Sequence, residues 1–473
     1  MTLKYHIMTF KTIRFYLFIA ASALFQSSCN EGEWLDISNN KALIIPSAPE
    51  DFQAILDNEL IMNQSYPVIG QMGADNGFIP QSAFISLAGL EKQAYIWSAD
   101  VYEGRNAVTD WNQPYKIIEC SNIVLDGLNK TGSKDADGQG VNSIKGAALF
   151  FRAFAFYNLA QLFCKPYDGA SAAADPGIPL RLSSDVNVRV PRATVKETYE
   201  RILQDLQLAE SLLPVSAPYV TRPSRAAACA LLAKVYLLMQ DYEKALEYAG
   251  KTLEINASLL DFNTLSTAAS SPFPAVTNGA TPNTEILFYA RCIVYNSMRA
   301  RGSIAKIDTA LYKAYADADL RKAIFYAASG NYRVFKGTYS GGSITALFGG
   351  LATNEIYMIQ AECSARLNDV PNALASLNAL LQKRYRPGFV PLTAGSAEEA
   401  LRLIVTERRK ELPQTAQVRW EDLRRLNRDP RFALTLKRQI GNEGFSLPPE
   451  DPRYVLPIPD YELALNPMPQ NER

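Results

Sequence analysis

The chain has 473 residues and is 48% apolar, enough for a large core in two or three ordinary domains or in one long repeat array. Its 48 basic and 48 acidic residues balance, with no run of five or six like charges, which argues against a nucleic-acid footprint. The single histidine, His6, falls in a leader, so a mature chain has no Ser-His-Asp or Cys-His catalysis and no histidine-ligated metal; paired-carboxylate chemistry stays open.

Lys11 and Arg14 precede the uncharged apolar run from Phe15 to Phe25, and Gln26-Ser27-Ser28-Cys29 follows. The pattern predicts a secretory signal over residues 1–28, its apolar run too short for the about 20 residues that span a bilayer. Losing Lys4, Lys11 and Arg14 and no acid leaves a net charge of −3. Small residues ending at a cysteine resemble a lipobox, with Gln26 standing where Leu or Val is usual. Cys29 then becomes the acylated first residue. Each buried methylene contributes about 0.8 kcal/mol, so two or three acyl chains hold a soluble body at a membrane. No later apolar run approaches membrane-spanning length, so the body is expected to be soluble. Cys120, Cys164, Cys229, Cys292 and Cys363 show no CxxC spacing and, being odd in number, cannot all pair. Cys120, Cys164, Cys229 and Cys363 sit in helical-looking runs and read as small buried apolar residues.

Residues 62–107 are rich in Gly, Ser, Asn and aromatics and read as an irregular insertion. Trp111 to Leu128 reads as a helix, paired with Ile144 to Phe163, which is apolar almost all round and must be wedged between neighbours. Thr194-Val-Lys-Glu197 is a capping box opening a helix with the stripe Tyr199, Ile202, Leu206, Ala209 and Leu213, ended by Pro214. Ser224 to Asn256 reads as two helices about a tight turn at Gln240-Asp241, with Ala245, Leu246, Ala249 and Leu253 on one face, as in a tetratricopeptide unit. Residues 263–350 form a second loop-rich insertion with short strands possible at 285–295 and 332–336. The helix pair returns 128 positions later: Asp241, Ala245 and Leu246 match Asp369, Ala373 and Leu374. Each Asp caps a helix, and Pro371 fits a first turn where its missing N–H costs nothing. Ser396-Ala-Glu-Glu399 is a second capping box before Ala400 to Leu412. The fold class is therefore mainly α: a tetratricopeptide-like superhelix with repeats at about 108–163, 194–256 and 353–412, loop insertions, a few short strands and a tail over 413–473. The charged face from Glu407 to Lys410 reads as solvated surface or salt-bridged helix contact.

Five further motifs occur in order. They are Cys29 followed by Trp34-Leu35-Asp36, then Trp111-Asn-Gln-Pro-Tyr115-Lys-Ile117 with Asn122, then Arg152-Ala-Phe154-Ala-Phe-Tyr157-Asn-Leu159. Glu407-Arg408 with Arg419-Trp420-Glu-Asp422-Leu423-Arg424-Arg425 is the fourth, and Tyr454-Val-Leu-Pro-Ile-Pro459 with Asn466-Pro467 and Gln470-Asn471 the fifth. Over nearly its whole length the chain resembles the SusD/RagB lipoproteins of Bacteroidetes. It departs after Glu411-Leu412, where Pro413-Gln-Thr-Ala-Gln417 replaces the family's usual Glu-Gly turn.

The resemblance implies a single SusD-like body over 29–473, anchored through Cys29 in the outer membrane. Glu31 and Glu33 are similar to the surface-export signal of such lipoproteins, implying display to the exterior. The implied partner is a SusC-like TonB-dependent transporter, over which the protein sits as a nutrient-binding lid. The ligand class is oligosaccharide, with peptide as the alternative; no catalysis, cofactor, metal or nucleic acid is implied. Sugar rings need an aromatic plate for the face and Asp, Asn or Arg for the hydroxyl edge. Residues 75–105 hold that mixture, in an insertion where the family places its stacking aromatics. Trp97 is the first candidate plate, with Tyr95 or Tyr102 beside it and Asp75, Asn76 and Asp100 as edge partners. Tyr289, Tyr295 and Asn296 form a second group in the middle insertion. Trp34, Trp111 and Trp420 read as packing. Two other classes compete: a glycoside hydrolase with carboxylates about 5 to 9.5 Å apart, and a repeat protein that only holds other proteins together.

Overall fold

Residues 46–132 and 139–473 are described in a computed structural model of the chain. The leader, Cys29 with Glu31 and Glu33, and Trp34-Leu35-Asp36 lie outside the described residues. Ten helices of eight or more residues occur among those described: α1 (Pro49–Leu56), α2 (Thr109–Thr131), α3 (Gln139–Phe163), α4 (Val195–Leu212), α5 (Arg225–Met239), α6 (Tyr242–Ile255), α7 (Thr353–Arg366), α8 (Val370–Gln382), α9 (Ala397–Glu411) and α10 (Val418–Leu426). From α2 to α8 each packs on its successor, and α9 closes on α7 and α8. The α6–α7 contact skips residues 256–352, so the middle insertion leaves the stack without breaking it. This is the expected helix-pair fold.

The repeat is exact at its turns. Gln240 and Asn368 both take φ 63°, and the N–H groups of Asp241 and Asp369 reach back to the carbonyls of Tyr236 and Ser364 at 3.0 and 2.8 Å. That back-reach closes the first helix of each pair through a left-handed residue. The same aspartates then cap the second helix, accepting from the N–H of Lys244 and Asn372. Thr194 and Glu197 make the expected reciprocal box. At Ser396 only half of it forms: Ser396 accepts from Glu399 N–H, while the Glu399 carboxylate takes the N–H of Gly395 instead.

The sequence motifs act as ties between elements. Arg152 grips Asp205 of α4 with two bonds of 2.7 and 2.8 Å and donates a third to Asn122 of α2. Trp111 packs edge-on against Phe163, and Trp420 lies on Gly70 and Gly73 so closely that a Cβ at either would stand 2.6 Å from the indole. Asn471 donates to Phe163 and Leu456 carbonyls, returning the tail to α3. In the altered turn, Pro413 O accepts from Gln71 and Asn76, and Ala416 is held buried at φ 42°. Cys120, Cys164, Cys229, Cys292 and Cys363 are free and buried, as expected of the four in helical runs. Burial pushes the Cys164 and Cys229 thiols up to about 12.

The strands of the two insertions and the tail are short and antiparallel: β1 (Gly77–Phe78) with β3 (Lys306–Ile307), β2 (Ile286–Phe288) with β6 (Leu351–Ala352), and the hairpins β4–β5 (Tyr326–Ser329, Tyr332–Phe335) and β7–β8 (Leu436–Ile440, Glu443–Leu447); a further pair joins Pro176–Pro179 to Arg192–Thr194 ahead of α4. The strand expected over 285–295 stops at Phe288, where its register shifts; beyond it the backbone makes only isolated bridges, Cys292 to Tyr66 and Arg291 to Phe348. The hairpin in the tail was not anticipated. No helix among the described residues is long and apolar enough to cross a membrane.

The charged runs of α9 and α10 go inward. Lys234 of α5, Glu355, Glu362 and Arg366 of α7, Arg408 of α9 and Glu421, Asp422 and Arg425 of α10 form one chain of ion pairs. Arg425 spans Glu362 at 2.6 Å and Asp422 at 2.9 Å; Arg408 spans Asp422 at 3.0 Å and Glu355 at 2.9 Å. A second chain ties the middle insertion to α9: Arg321 binds Asp319, Glu407 and Glu411, Lys410 binds Asp319 and Glu407, and Arg384 binds Glu285 and Glu411. Burial alone would raise the carboxylates, yet Arg425 and Arg366 hold Glu362 well below the usual range, Lys234 and Arg408 hold Glu355 down, and Arg408 and Arg425 hold Asp422 down. Burial wins at Glu285 and Glu421, which lie above it.

The pH dependence follows in sign. The depressed carboxylates stabilise the fold fully above the unfolded value of about 4, and that contribution is lost as pH falls through their lower folded values. Glu285 and Glu421, held high, favour the fold on mild acidification. Thermal melts are expected to stay level or rise slightly from pH 7 to 5 and to drop below about pH 4. Glu362→Gln should cost about 3–5 kcal/mol at pH 7, by breaking a buried pair from one side, and should soften the acid drop. A loss below about 1 kcal/mol in urea unfolding would contradict the network's role.

Candidate functional site

β1 is the hub of the region where aromatic and polar groups meet. Pairing of Phe78 with Lys306 brings the early insertion onto the middle one, and Gly77 is required because a Cβ there would meet Lys306 O at 2.9 Å. The β4–β5 hairpin, turned at Gly330 with φ 59°, stands beside β3. Across this junction the Phe78 and Tyr332 rings meet edge-on, 5.5 Å apart and 74° inclined. Tyr332 is 45% exposed and Phe78 is half-buried. Lys306 Nζ lies 6.0 Å from the Tyr332 ring and donates to Ser329 Oγ; the Arg333 guanidinium lies 5.0 Å from the Tyr312 ring. A cavity of about 350 Å³ adjoins, lined by Asp75, Phe78, Tyr95, Trp97, Asp308 and Arg438 among others.

The structure brings Asp75, Tyr95 and Trp97 to this one cavity but spends most of their polar capacity on the protein. Trp97 is 2% exposed; its indole N–H donates to Gly73 O at 3.0 Å, and Arg438 stacks between it and Tyr95, 4.8 and 3.7 Å from the ring centroids. The expectation of Trp97 as a stacking plate is therefore corrected: its ring faces are covered. Tyr95 is likewise buried, its hydroxyl oxygen accepting from Ile79 N–H. Tyr102 is buried and donates to Pro457 O, pinning the tail. Asn76 is buried between Pro413 O and Arg409 Nε. Burial would raise the Asp75 carboxyl, but Arg419, bonded through both oxygens at 2.6 and 2.9 Å, and Arg409 hold it well below the usual range. Asp100 is exposed and accepts from Glu103 N–H in its own turn.

The second expected group does not assemble here. Tyr289 is buried and donates to Ser340 O, Tyr295 donates to Asp110, and Asn296 is exposed outside this cavity. The residues missed by the sequence reading are Tyr332, Lys306 and Arg438. One signal was present: Gly330-Asn331 followed by the alternation Tyr332-Arg-Val-Phe marks a hairpin whose first strand-end residue faces out.

A larger cavity of about 610 Å³ lies between the loop after α3 and the tail. Its cations are engaged: Lys165 with Asp175, Arg428 with Asp168, and Arg424 on the carbonyls of Gln161 and Cys164 that end α3. Its one aromatic, Tyr454, is buried against Trp420, so no exposed ring lines it. The region around Tyr332 has the chemistry for a sugar, and this cavity does not. No group of three or more His, Cys, Asp or Glu side chains placed to hold a metal occurs among the described residues.

Comparison with known proteins agrees with the fold and its motifs. A sequence family described as SusD-like, starch-binding and associating with the outer membrane matches residues 33–237. The SusD-like protein P2 of Formosa agariphila is 26% identical over 416 residues, covering 75% of this chain and 78% of that protein. A putative sugar-binding protein from Bacteroides vulgatus superposes with a TM-score of 0.73 at 22% identity, covering 91% of this chain and 99% of its own. A SusD superfamily protein from Bacteroides thetaiotaomicron gives 0.72 at 21% identity, covering 90% and 100%. The fold is the one these SusD superfamily structures share. The chain is thus similar in sequence to SusD-like proteins over its first half and in fold to SusD superfamily structures over about nine-tenths of its length.

Burial separates the two aromatic positions experimentally. Trp97→Ala should cost about 3–5 kcal/mol of stability, as for a large core residue, whereas Tyr332→Ala should stay within about 0.5 kcal/mol. Equal losses at both positions in urea unfolding would contradict this assignment.

Proposed function

We propose that this chain is a lipid-anchored binding protein of the outer membrane that takes up an oligosaccharide at the Phe78–Tyr332 junction and passes it to a SusC-like TonB-dependent transporter. The observation that carries the reading is an exposed aromatic pair beside a polar cavity, both set on hairpins of a SusD-like frame. Tyr332 covers a sugar face while Gln439 and Lys437, which line the cavity, meet hydroxyls at its edge. The family description, starch-binding and associated with the outer membrane, supports the ligand class and the location. Anchorage through Cys29 and display to the exterior complete the reading.

Binding without turnover fits the cavity's acids. A glycoside hydrolase needs one carboxyl held high enough to donate a proton. Asp75 is held low by Arg419 and Arg409, and Arg409 also lies 3.6 Å from Asp308. The carboxyls that burial pushes up, Asp110, Glu285 and Glu421, do not line it.

Affinity electrophoresis against a panel of soluble polysaccharides tests the reading. Retardation by at least one polymer is expected, weakened about fivefold or more by Tyr332→Ala, in line with about 1 kcal/mol for an aromatic contact. Prolonged incubation with the bound polymer should release no shorter products. Undiminished binding by the variant, or appearance of products, would overturn the proposal.

A further inference from the structure

We infer that the ligand taken at the Tyr332 junction is an acidic glycan, bearing carboxylate or sulfate groups that Arg438, Lys306, Arg333 and Lys437 meet. The inference rests on the oligosaccharide reading and narrows it.

Arg438 differs from most of the arginines drawn into the body, though Arg424 likewise rests on backbone carbonyls without a carboxylate. Arg152, Arg321, Arg384, Arg408, Arg419 and Arg425 each have a carboxylate within 3.0 Å. Arg438 forms no ion pair among the described residues. One of its terminal nitrogens donates to Met72 and Ala74 carbonyls at 2.9 and 2.8 Å and the other to Gly77 O at 3.5 Å, its ring contacts are Tyr95 and Trp97, and its Nε has no hydrogen-bond partner. A buried guanidinium without a counter-charge is expensive to keep ionised, and burial does press its pKa down.

The surplus extends beyond one side chain. Lys306 is 9% exposed and its Nζ bonds only the neutral Ser329 hydroxyl. Arg333 lies over the Tyr312 ring and donates to Tyr332 O at 3.0 Å, reaching no acid, and Lys437 is exposed on the cavity wall. The acids of the cavity are already committed: Asp75 to Arg419 and Arg409, Asp308 to Arg409 and to the N–H of Leu311. Four cations without carboxylate partners thus lie on β3, β5 and β7, the strands that frame the junction and its cavity, in a chain whose total charge is zero, so the excess is local. Such a concentration draws anions in and rewards a planar carboxylate or a sulfate that an arginine can fork.

The test is affinity electrophoresis of the full-length protein with two sets of polymers. Polygalacturonate and alginate carry carboxylates, carrageenan and chondroitin sulfate carry sulfate, and starch, dextran, galactan and xylan are neutral. Retardation by at least one acidic polymer and by none of the neutral ones is expected, falling at least tenfold in strength between 50 mM and 500 mM salt. The uronate and sulfate arms show which anion is used. Lys306→Gln with Lys437→Gln should weaken binding at least tenfold, and Lys437→Gln alone should weaken it with an unchanged melting temperature. Retention by neutral polymers with no salt dependence would overturn the charge assignment while leaving the glycan reading intact. Retention by poly-glutamate as strong as by the acidic glycans would overturn it as unspecific attraction. Retention by nothing would overturn the oligosaccharide reading as well.

Discussion

Four cations and four carboxylates are taken out of water together where α5, α7, α9 and α10 meet, and the later half of the body is positioned by how they are paired. Each ion alone would cost several kcal/mol to bury, and only matched partners offset that. The count balances: Lys234, Arg366, Arg408 and Arg425 against Glu355, Glu362, Glu421 and Asp422. An apolar seam tolerates sliding by a turn, whereas an arginine that must span Asp422 and Glu362 tolerates little. The network therefore fixes the mutual register of four helices drawn from nearly two hundred positions of sequence. The parallel network through Arg321 and Arg384 extends the lock to the middle insertion, which would otherwise be only a long excursion from the helix stack.

That lock is what lets loops carry function. The β1–β3 pairing and the β4–β5 and β7–β8 hairpins are too short to be stable alone. They are held because Trp420 sits on Gly70 and Gly73, Asp75 is clamped by Arg419, and Arg438 reaches Met72 and Ala74. Two of these anchors, Arg419 and Trp420, belong to the same helix that feeds the buried network. A change in α10 thus reaches the Phe78–Tyr332 junction through a few defined contacts.

Helix pairs, caps and the repeat were legible in the sequence because they are local: an Asp, a left-handed residue and an apolar stripe all lie within a dozen positions. The roles of Arg152, Arg408 and Arg425 were legible only as motif residues, since each has a carboxylate partner 14 or more positions away: 53 for Arg152, 14 for Arg408 and 63 for Arg425. Periodicity cannot show that a run such as Glu407-Arg-Arg-Lys faces inward; only the partners on α7 and α10 make its burial tolerable. The site failed for the same reason. Trp97 and Tyr332 are both aromatics in loop-rich segments, and nothing local tells which one the tail strand Leu436–Ile440 will cover. Arg438, supplied by that strand, covers Trp97 and leaves Tyr332 bare.

Amide hydrogen exchange followed by mass spectrometry tests the central claim, that an ion-locked frame carries more labile hairpins. Peptides from 353–366, 397–411 and 418–426 should exchange last and together, at the rate of global opening, while those from 326–335 and 436–447 should exchange well before them. Early or independent exchange in α9 and α10, with the hairpins protected longer, would contradict it.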